Sequence, residues 1–240
     1  FEKNITQFQE TKIIFEGAIK RELQNLVEHR NEEQFLPILK TQKHPAARTL
    51  LFHWLKEFGF NTSQLDDIIQ SLGGPPGKTF VSPTHRLIKD RKFLILTSRE
   101  AEQFSTIYVD KGQNKVRLPS ARMLISQIDF SKNRLSISKS PQVAMLDAHK
   151  VSFPLEIRRW KKGDYFYPYG LAKKHSDKVG KKKLSDFFTD LKLSLPEKEK
   201  TFVVCSEQRI LWVAGHRIDD RFKITEKTRA VLKLKLELND

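Results

Sequence analysis

The sequence predicts an α+β protein with an N-terminal helical unit that ends in a β-hairpin, followed by a mostly antiparallel α+β domain. Apolar residues recur with a helical period in the first seventy positions, and short strand-like runs dominate after the breaker Pro75-Pro76-Gly77. The length of 240 residues exceeds the usual size of one domain. We place the boundary near residue 102, which gives predicted domains over residues 1–102 and 103–240.

Two helices are predicted from apolar positions that recur at steps of three and four residues. The first covers residues 7–28, with Phe15, Ile19, Leu23 and Leu26 on its apolar side. The second has Pro45 in its first turn and ends at Gly59. Its apolar side holds Leu50, Leu51, Trp54, Leu55 and Phe58.

A third helix and a hairpin complete the first predicted domain. The helix opens at Ser63, where Asp66 gives a spacing like that of a capping box, and it closes at Gly73-Gly74. Strands follow over residues 79–82, 86–89 and 93–97, the last two joined by a tight Asp90-Arg91 turn.

The second domain is predicted to contain many short strands and one helix. Strand-like runs cover residues 106–109, 115–118, 123–130, 134–138, 151–157, 202–206 and 209–214. A helix is expected over residues 183–191, and a closing strand alternates Leu232, Leu234, Leu236 and Leu238 with polar residues. One antiparallel sheet with a single covered face is the simplest arrangement of these strands.

The charge of the chain indicates a polyanionic partner. Lys and Arg number 44 against 29 Asp and Glu, so the net charge is +15, and a field of that sign attracts nucleic acid. A lysine-rich surface that serves only solubility is the alternative explanation.

Several features bear on where the protein works. The single cysteine, Cys205, lies in an apolar run and indicates a small buried thiol in a reducing cytoplasm. We expect no membrane insertion and no secretion, because no stretch of about twenty apolar residues is present. The chain begins at Phe1 without an initiator Met, from which we expect a fragment of a longer protein.

The residues that could form catalytic, metal or nucleotide sites lack the composition or the spacing that such sites need. The stretch Gly73–Thr79 resembles a phosphate-binding loop, but two prolines remove amide donors that such a loop needs. The seven histidines show no metal-ligand spacing, and His53 and His216 indicate packed imidazoles. Asp219 and Asp220, flanked by Arg217 and Arg221, indicate structural ion pairs. We therefore expect no catalytic residue, metal site or cofactor in this chain.

A basic and aromatic block lies between Arg158 and Lys183. It contains ten Lys or Arg residues and two Asp, a net charge of +8. Lysines are mobile point charges that suit phosphate groups better than base edges. The aromatic residues allow two readings, since alternate Tyr165, Tyr167 and Tyr169 can belong to the core or stack on bases. The block contributes these candidate RNA-binding residues: Arg158, Arg159, Lys161, Lys162, Lys173, Lys174, Lys181, Lys182 and Lys183.

The same region resembles the C-terminal domain of tRNA(Ile)-lysidine synthetases. The resemblance rests on Phe153-Pro154-Leu155-Glu156-Ile157-Arg158, Trp160, Gly163-Asp164, Phe166, Pro168, Gly170, Lys182-Lys183-Leu184-Ser185-Asp186-Phe187-Phe188, Asp190, Lys192, Trp212-Val213-Ala214-Gly215, Arg217-Ile218-Asp219 and Arg221-Phe222-Lys223. The first unit resembles the central helical substrate-binding domain of the family through Pro45-Ala46-Ala47-Arg48, Trp54-Leu55, Gly59-Phe60 and Gln64-Leu65. The resemblance covers most of residues 35–234.

The resemblance implies an enzyme whose catalytic domain lies upstream. Such enzymes carry a Ser-Gly-Gly-x-Asp-Ser loop in an ATP pyrophosphatase domain, and this loop is absent from the sequence. With ATP, magnesium and lysine, they convert the wobble cytidine C34 of tRNA(Ile) to lysidine. The portion in hand is then an inactive, tRNA-binding part, with the helical unit at the anticodon stem and the C-terminal unit at the acceptor stem. The resemblance assigns tRNA contacts to Arg158, Lys182, Lys183, Arg217 and Arg221.

The expected partners are tRNA(Ile) and the upstream domain of the same protein, and a homodimer with a second copy of the chain is left open. Two other functions stay open at this point. One is a stand-alone basic RNA-binding module, and the other is an interaction scaffold whose charge serves solubility.

Overall fold

A computed structural model describes residues 2–30, 32–99, 104–119, 121–129, 137–173 and 176–238. The chain divides into two compact units, Phe1–Gln103 and Phe104–Asp240. Helices and antiparallel sheets occur in both units, so the predicted α+β class is confirmed.

The described residues of unit 1 form four helices. They are α1 (Glu2–Leu26), α2 (Ile38–Lys43), α3 (Ala47–Lys56) and α4 (Thr62–Ser71). The predicted apolar side of α1 is buried only near its C-terminal end, because Ile19 is buried and Leu23 packs on the core while Phe15 stays 46% exposed. The predicted start of α4 at Ser63 is wrong: Asn61 caps the helix and forms a capping box with Gln64. An Asn side chain satisfies the free amides of a first turn as well as Ser does.

Unit 1 also holds a five-stranded antiparallel sheet in the order β1-β2-β5-β4-β3. Its strands are β1 (Glu28–Arg30), β2 (Glu33–Pro37), β3 (Thr79–Val81), β4 (His85–Lys89) and β5 (Phe93–Ser98). The predicted β3, β4 and β5 are confirmed, and the prediction missed β1 and β2. Strand β2 is too short to show a period and forms because it pairs with β5, some sixty residues away.

Unit 2 contains two larger antiparallel sheets rather than the single sheet that we predicted. The first has the order β17-β16-β15-β10-β6, and the second has the order β7-β8-β18-β9. Their strands are β6 (Ile107–Val109), β7 (Lys115–Leu118), β8 (Ala121–Asp129), β9 (Val143–Asp147), β10 (Leu155–Arg159), β15 (Phe202–Ser206), β16 (Arg209–Val213), β17 (Arg217–Ile218) and β18 (Ala230–Leu238). Residues 134–136 of the predicted strand 134–138 lie outside the described part of the chain.

The two sheets of unit 2 share one hydrophobic core. Leu155, Val204 and Trp212 of the first sheet pack in the same buried cluster as Met123 and Leu234 of the second. A single sheet with one covered face was the wrong prediction because alternation within a strand shows which side is buried but not which element covers it.

The opposite side of the first sheet is covered by two short helices, α5 (Leu184–Asp190) and α6 (Leu195–Lys200). Phe187 and Phe188 of α5 lie in a second buried cluster with Val203, Cys205 and Val213. The predicted helix at residues 183–191 is therefore confirmed. Small strand pairs flank it: β11 (Tyr165–Phe166) with β14 (Lys182–Lys183), and β12 (Ala172–Lys173) with β13 (Ser176–Val179).

The buried thiol of Cys205 gives a direct test of this core. Burial raises its pKa to about 12, and the thiolate is the reactive form. We expect no labelling of the folded protein by an aromatic disulfide reagent at pH 8, and full labelling in denaturant. Because Cys205 is the single cysteine, the absorbance change reports this residue alone. Rapid stoichiometric labelling without denaturant would contradict the placement of β15.

Candidate nucleic-acid interface

A buried carboxylate organises the most cationic turn of unit 2. The side chain of Asp219 is fully buried. It accepts hydrogen bonds from the backbone N–H groups of Tyr167 and Arg221, both at 2.9 Å. The Arg221 guanidinium donates two more, at 2.9 and 2.8 Å. The bonds from the guanidinium raise the pKa of Arg221. The bond from Tyr167 holds residues 165–169 against the turn after β17. The ion-pair interpretation of Asp219 is confirmed.

Two tyrosines are exposed beside this turn, and Tyr167 between them is half-buried. Tyr165 and Tyr169 are 41% and 48% exposed, whereas Phe166, which alternates with them, is fully buried. The open question about these rings is thus resolved against a place in the core. A cation lies over each ring: Lys181 Nζ is 3.5 Å from the centroid of Tyr165, Arg221 Cζ is 4.5 Å from Tyr167, and Lys223 Nζ is 6.0 Å from Tyr169.

Two further cations belong to the same surface. Lys183 lies directly opposite Tyr165 in the β11–β14 pair, which places both side chains on one side of the ribbon. Arg217 donates from Nη1 to the carbonyl oxygen of Tyr169 at 2.9 Å. We call this surface the cation–tyrosine face, and it consists of Tyr165, Tyr167, Tyr169, Lys181, Lys183, Arg217, Arg221 and Lys223.

The cation–tyrosine face combines positive charge with exposed aromatic rings. Its five cations outnumber the two neighbouring carboxylates of Asp219 and Asp220, the second of which pairs with Lys223 at 3.1 Å. Cations of this kind neutralise phosphates, and tyrosine rings stack on unpaired bases. The sequence analysis missed Lys223, although its place two residues after Arg221 in the Arg221-Phe222-Lys223 motif was an available signal.

Arg158 and Arg159, both predicted to bind RNA, are engaged inside the fold. Arg158 is only 9% exposed, and its guanidinium forms two hydrogen bonds to Asp164 at 2.7 and 3.0 Å. The guanidinium of Arg159 lies 4.0 Å from the ring centroid of Phe202 and donates to the carbonyl oxygen of Lys200. Burial lowers the pKa of Arg159. Both side chains therefore pack within the fold at the end of β10 and do not project into solvent.

The remaining candidates are distributed around the same region. Lys161 and Lys162 are exposed on the turn at Gly163, whose φ of +98° suits glycine. Lys182 forms an ion pair with Asp190 of α5. Lys173 lies in β12, of which only the backbone is described, and Lys174 lies outside the described residues.

Trp160 packs near α5, and the packed imidazoles predicted for His53 and His216 are confirmed. Trp160 donates from Nε1 to the carbonyl oxygen of Lys198 at 2.6 Å, and its ring contacts Phe188 at 5.2 Å between centroids. His216 lies 6.1 Å from Phe188, and burial lowers its pKa. In unit 1, His53 packs edge-on against Phe15 at 5.5 Å, and burial lowers its pKa too.

The stretch that resembles a phosphate loop does not fit ATP. The amide of Gly77 donates to the carbonyl oxygen of Lys89 at 2.7 Å, and that of Gly74 donates to Ser71 at 2.9 Å. These amides are thus used in the turn that leads to β3 and are not directed at a phosphate. Among the described residues, no group of three or more His, Cys, Asp or Glu side chains is arranged to hold a metal ion. In the same part of the chain, no helix is long and apolar enough to cross a membrane.

Comparisons with known proteins agree with the resemblance. The sequence model described as "TilS substrate binding domain" matches residues 29–99, and that described as "TilS substrate C-terminal domain" matches residues 155–236. A tRNA(Ile)-lysidine synthase of Parabacteroides distasonis is 44% identical over 200 residues, which are 82% of this chain and 43% of the relative. That of Bacteroides thetaiotaomicron is 36% identical over 192 residues, 80% of this chain and 40% of the relative.

A solved structure described as "Crystal structure of TILS C-terminal domain" is also similar. It has a TM-score of 0.47 and 19% sequence identity, and the match covers 57% of this chain and 99% of that one. The chain spans less than half the length of the two curated relatives named above.

Proposed function

This chain belongs to the tRNA(Ile)-lysidine synthase family, and from that membership we propose that it is the region that binds and positions tRNA(Ile). In this proposal, another part of the enzyme uses ATP, magnesium and lysine to convert the wobble cytidine C34 to lysidine. The reaction takes place in the cytoplasm. The chain in hand then contributes binding energy and orientation, which accelerate a reaction by placing the reacting groups together.

The single observation that carries the proposal is the cation–tyrosine face. Every residue of the face lies within the matched range 155–236. The rigid pairing of Arg221 with buried Asp219 holds one guanidinium in place, while Lys181 and Lys183 lie on the exposed side of the β11–β14 ribbon. A surface that served only solubility would not need a buried carboxylate to orient it.

The two units have different proposed roles on the same RNA. Unit 2 holds the acceptor stem through the cation–tyrosine face, with Lys161, Lys162 and Lys182 as neighbouring positive charges. Unit 1, which matches the substrate-binding model, contacts the anticodon stem. Arg158 is excluded from the proposed contacts because it is buried as well as paired with Asp164, whereas Arg221, which is also paired, keeps 36% of its side chain exposed.

The experiment is a salt titration of tRNA(Ile) binding by the chain and two triple variants. The test variant carries Lys181→Ala, Lys183→Ala and Lys223→Ala. The control variant carries Lys150→Ala, Arg209→Ala and Lys227→Ala, which removes the same charge from scattered positions of unit 2. Three lost phosphate contacts reduce the slope of log affinity against log salt by roughly 2 to 3. We expect this reduction in the test variant and almost none in the control.

The melting temperatures of both variants should stay close to that of the parent chain, since surface charges contribute little to folding. An equal loss of affinity in both variants would show that the RNA responds only to net charge. A parent chain that does not bind tRNA at low salt would refute the proposed function and leave the scaffold as the better explanation. Equal affinity for unrelated tRNAs would favour a general RNA-binding module.

A further inference from the structure

A second cationic surface lies on the other large sheet of unit 2. Strands β7, β8 and β18 direct one set of alternate residues, such as Leu118, Met123 and Leu234, into the shared core. The other set points away from that core, because successive side chains of a strand alternate between its two faces. We call the outward surface of these three strands the open sheet face.

The open sheet face is strongly positive. Its ten outward residues contain five cations and one acid. They are Lys115, Arg117, Arg122, Leu124, Ser126, Ile128, Val231, Lys233, Lys235 and Glu237, of which Val231 is fully buried. Lys115, Arg117, Arg122 and Lys235 are exposed, and Lys233 is half-buried. Glu237 accepts hydrogen bonds from Arg122 and from Lys235, both at 2.6 Å, which lower its pKa. The acid is thus neutralised locally, and most of the positive charge remains uncompensated.

The register of the strands places like charges together. Arg117 lies directly opposite Arg122 in the β7–β8 pair. Lys115 and Lys235 both lie opposite Leu124, one on each side of β8. Like charges across an antiparallel pair destabilise the sheet. An anionic ligand over this face would relieve that repulsion.

Protection of a sheet edge does not explain this arrangement. Charged residues on an edge strand prevent pairing with strands of other molecules. Edge protection therefore explains Lys115 and Arg117, because β7 is at the edge of its sheet. Edge protection does not explain Arg122, Lys233 and Lys235, which lie on the internal strands β8 and β18.

The shape of the face selects among polyanions. The ten outward residues include no aromatic ring, so the face lacks a group on which an unpaired base stacks. Its cations form a two-dimensional array, with about 5 Å between neighbouring strands and about 7 Å between alternate residues of one strand. Double-stranded RNA is bound mainly through its shape and its phosphates, and an array that extends over three strands suits phosphates of both RNA strands.

We propose that the open sheet face binds the phosphate backbone of double-stranded RNA, as a second contact besides the cation–tyrosine face. The inference rests on the proposed tRNA-binding function and extends it to a paired region of the same RNA. Strands β7 and β8 lie outside both matched ranges, 29–99 and 155–236, so the family models do not describe this surface.

The test uses the full chain with two RNA probes, the tRNA(Ile) transcript and a blunt RNA duplex of about 16 base pairs. The variant carries Lys115→Ala, Arg117→Ala and Lys233→Ala and leaves the Arg122–Glu237 pair intact. The control is the charge-matched variant Lys150→Ala, Arg209→Ala and Lys227→Ala. We expect the duplex to bind the open-sheet-face variant about tenfold more weakly than the control near 0.15 M salt, with a salt slope reduced by roughly 2 to 3.

The outcomes separate this inference from the proposed function. If the open-sheet-face variant binds both probes as tightly as the control, the second contact does not exist. If the parent chain binds tRNA but not the duplex at low salt, the inference again fails and the proposed function stands. If the parent chain binds neither probe, both fail. Additive losses of binding free energy on combining the open-sheet-face and cation–tyrosine variants would support two independent contacts.

Discussion

Replacement of Asp219 by alanine is expected to lower the free energy of unfolding by about 3–5 kcal/mol and to weaken tRNA binding strongly. The substitution removes a carboxylate that is fully buried and accepts four hydrogen bonds, two of them from the guanidinium of Arg221. The backbone N–H of Tyr167 would lose its acceptor, and an unsatisfied buried donor is costly. Urea unfolding and tRNA titration at low temperature measure the two effects.

Asp220 provides the matched control for this substitution. It is the next residue, but its side chain is 20% exposed, whereas that of Asp219 is fully buried. Asp220→Ala should therefore change stability by no more than about 1 kcal/mol. Asp219→Asn, which keeps the shape and removes the charge, should fall between the two alanine variants. Equal stability of Asp219→Ala and Asp220→Ala would contradict the organising role of the buried carboxylate.

Replacement of Phe188 by alanine should cost about 3–5 kcal/mol of stability through the cavity it leaves. Its ring is fully buried and contacts Trp160 and His216, so α5 would lose its main attachment to the first sheet of unit 2. Urea unfolding followed by tryptophan fluorescence measures the loss. Because Trp160 touches the substituted ring, its emission should also change in the folded protein.

Leu191, just beyond the end of α5, is the control because it is 42% exposed. Leu191→Ala should destabilise unit 2 by less than about 1 kcal/mol. A Phe188→Ala variant that unfolds at the same urea concentration as Leu191→Ala would show that α5 is not packed as described.

Local patterns predicted the strands that lie close together in the sequence. The strands β3, β4 and β5 and the hairpin of β15 with β16 were found because each has an apolar run next to a turn signal. Strand β9 was missed, although Val143-Ala144-Met145-Leu146 is an apolar run. It pairs with β18, more than eighty residues later in the chain, and the local sequence carries no signal for such a long-range pairing.

The same limit applies to the candidate site. The sequence located the basic block and the outward-facing tyrosines as possible contacts, but it did not distinguish Arg158 from Lys181. Arg158 is buried against Asp164, whereas Lys181 is exposed over the ring of Tyr165. The open sheet face was also missed, because its cations come partly from the β7–β8 hairpin and partly from β18, which lies far from that hairpin in the chain.

The sequence alone determined the family, the α+β class and the concentration of positive charge, because each depends on residue types and on short spacings. The tertiary structure decided which cations remain available to an anion. Burial and ion pairing depend on neighbours that folding brings together from distant positions, as Asp219 does for the Tyr167 segment and Glu237 does for Arg122. A cation that is both buried and paired, as Arg158 is with Asp164, contributes little to binding RNA, and only the folded structure shows which cations those are.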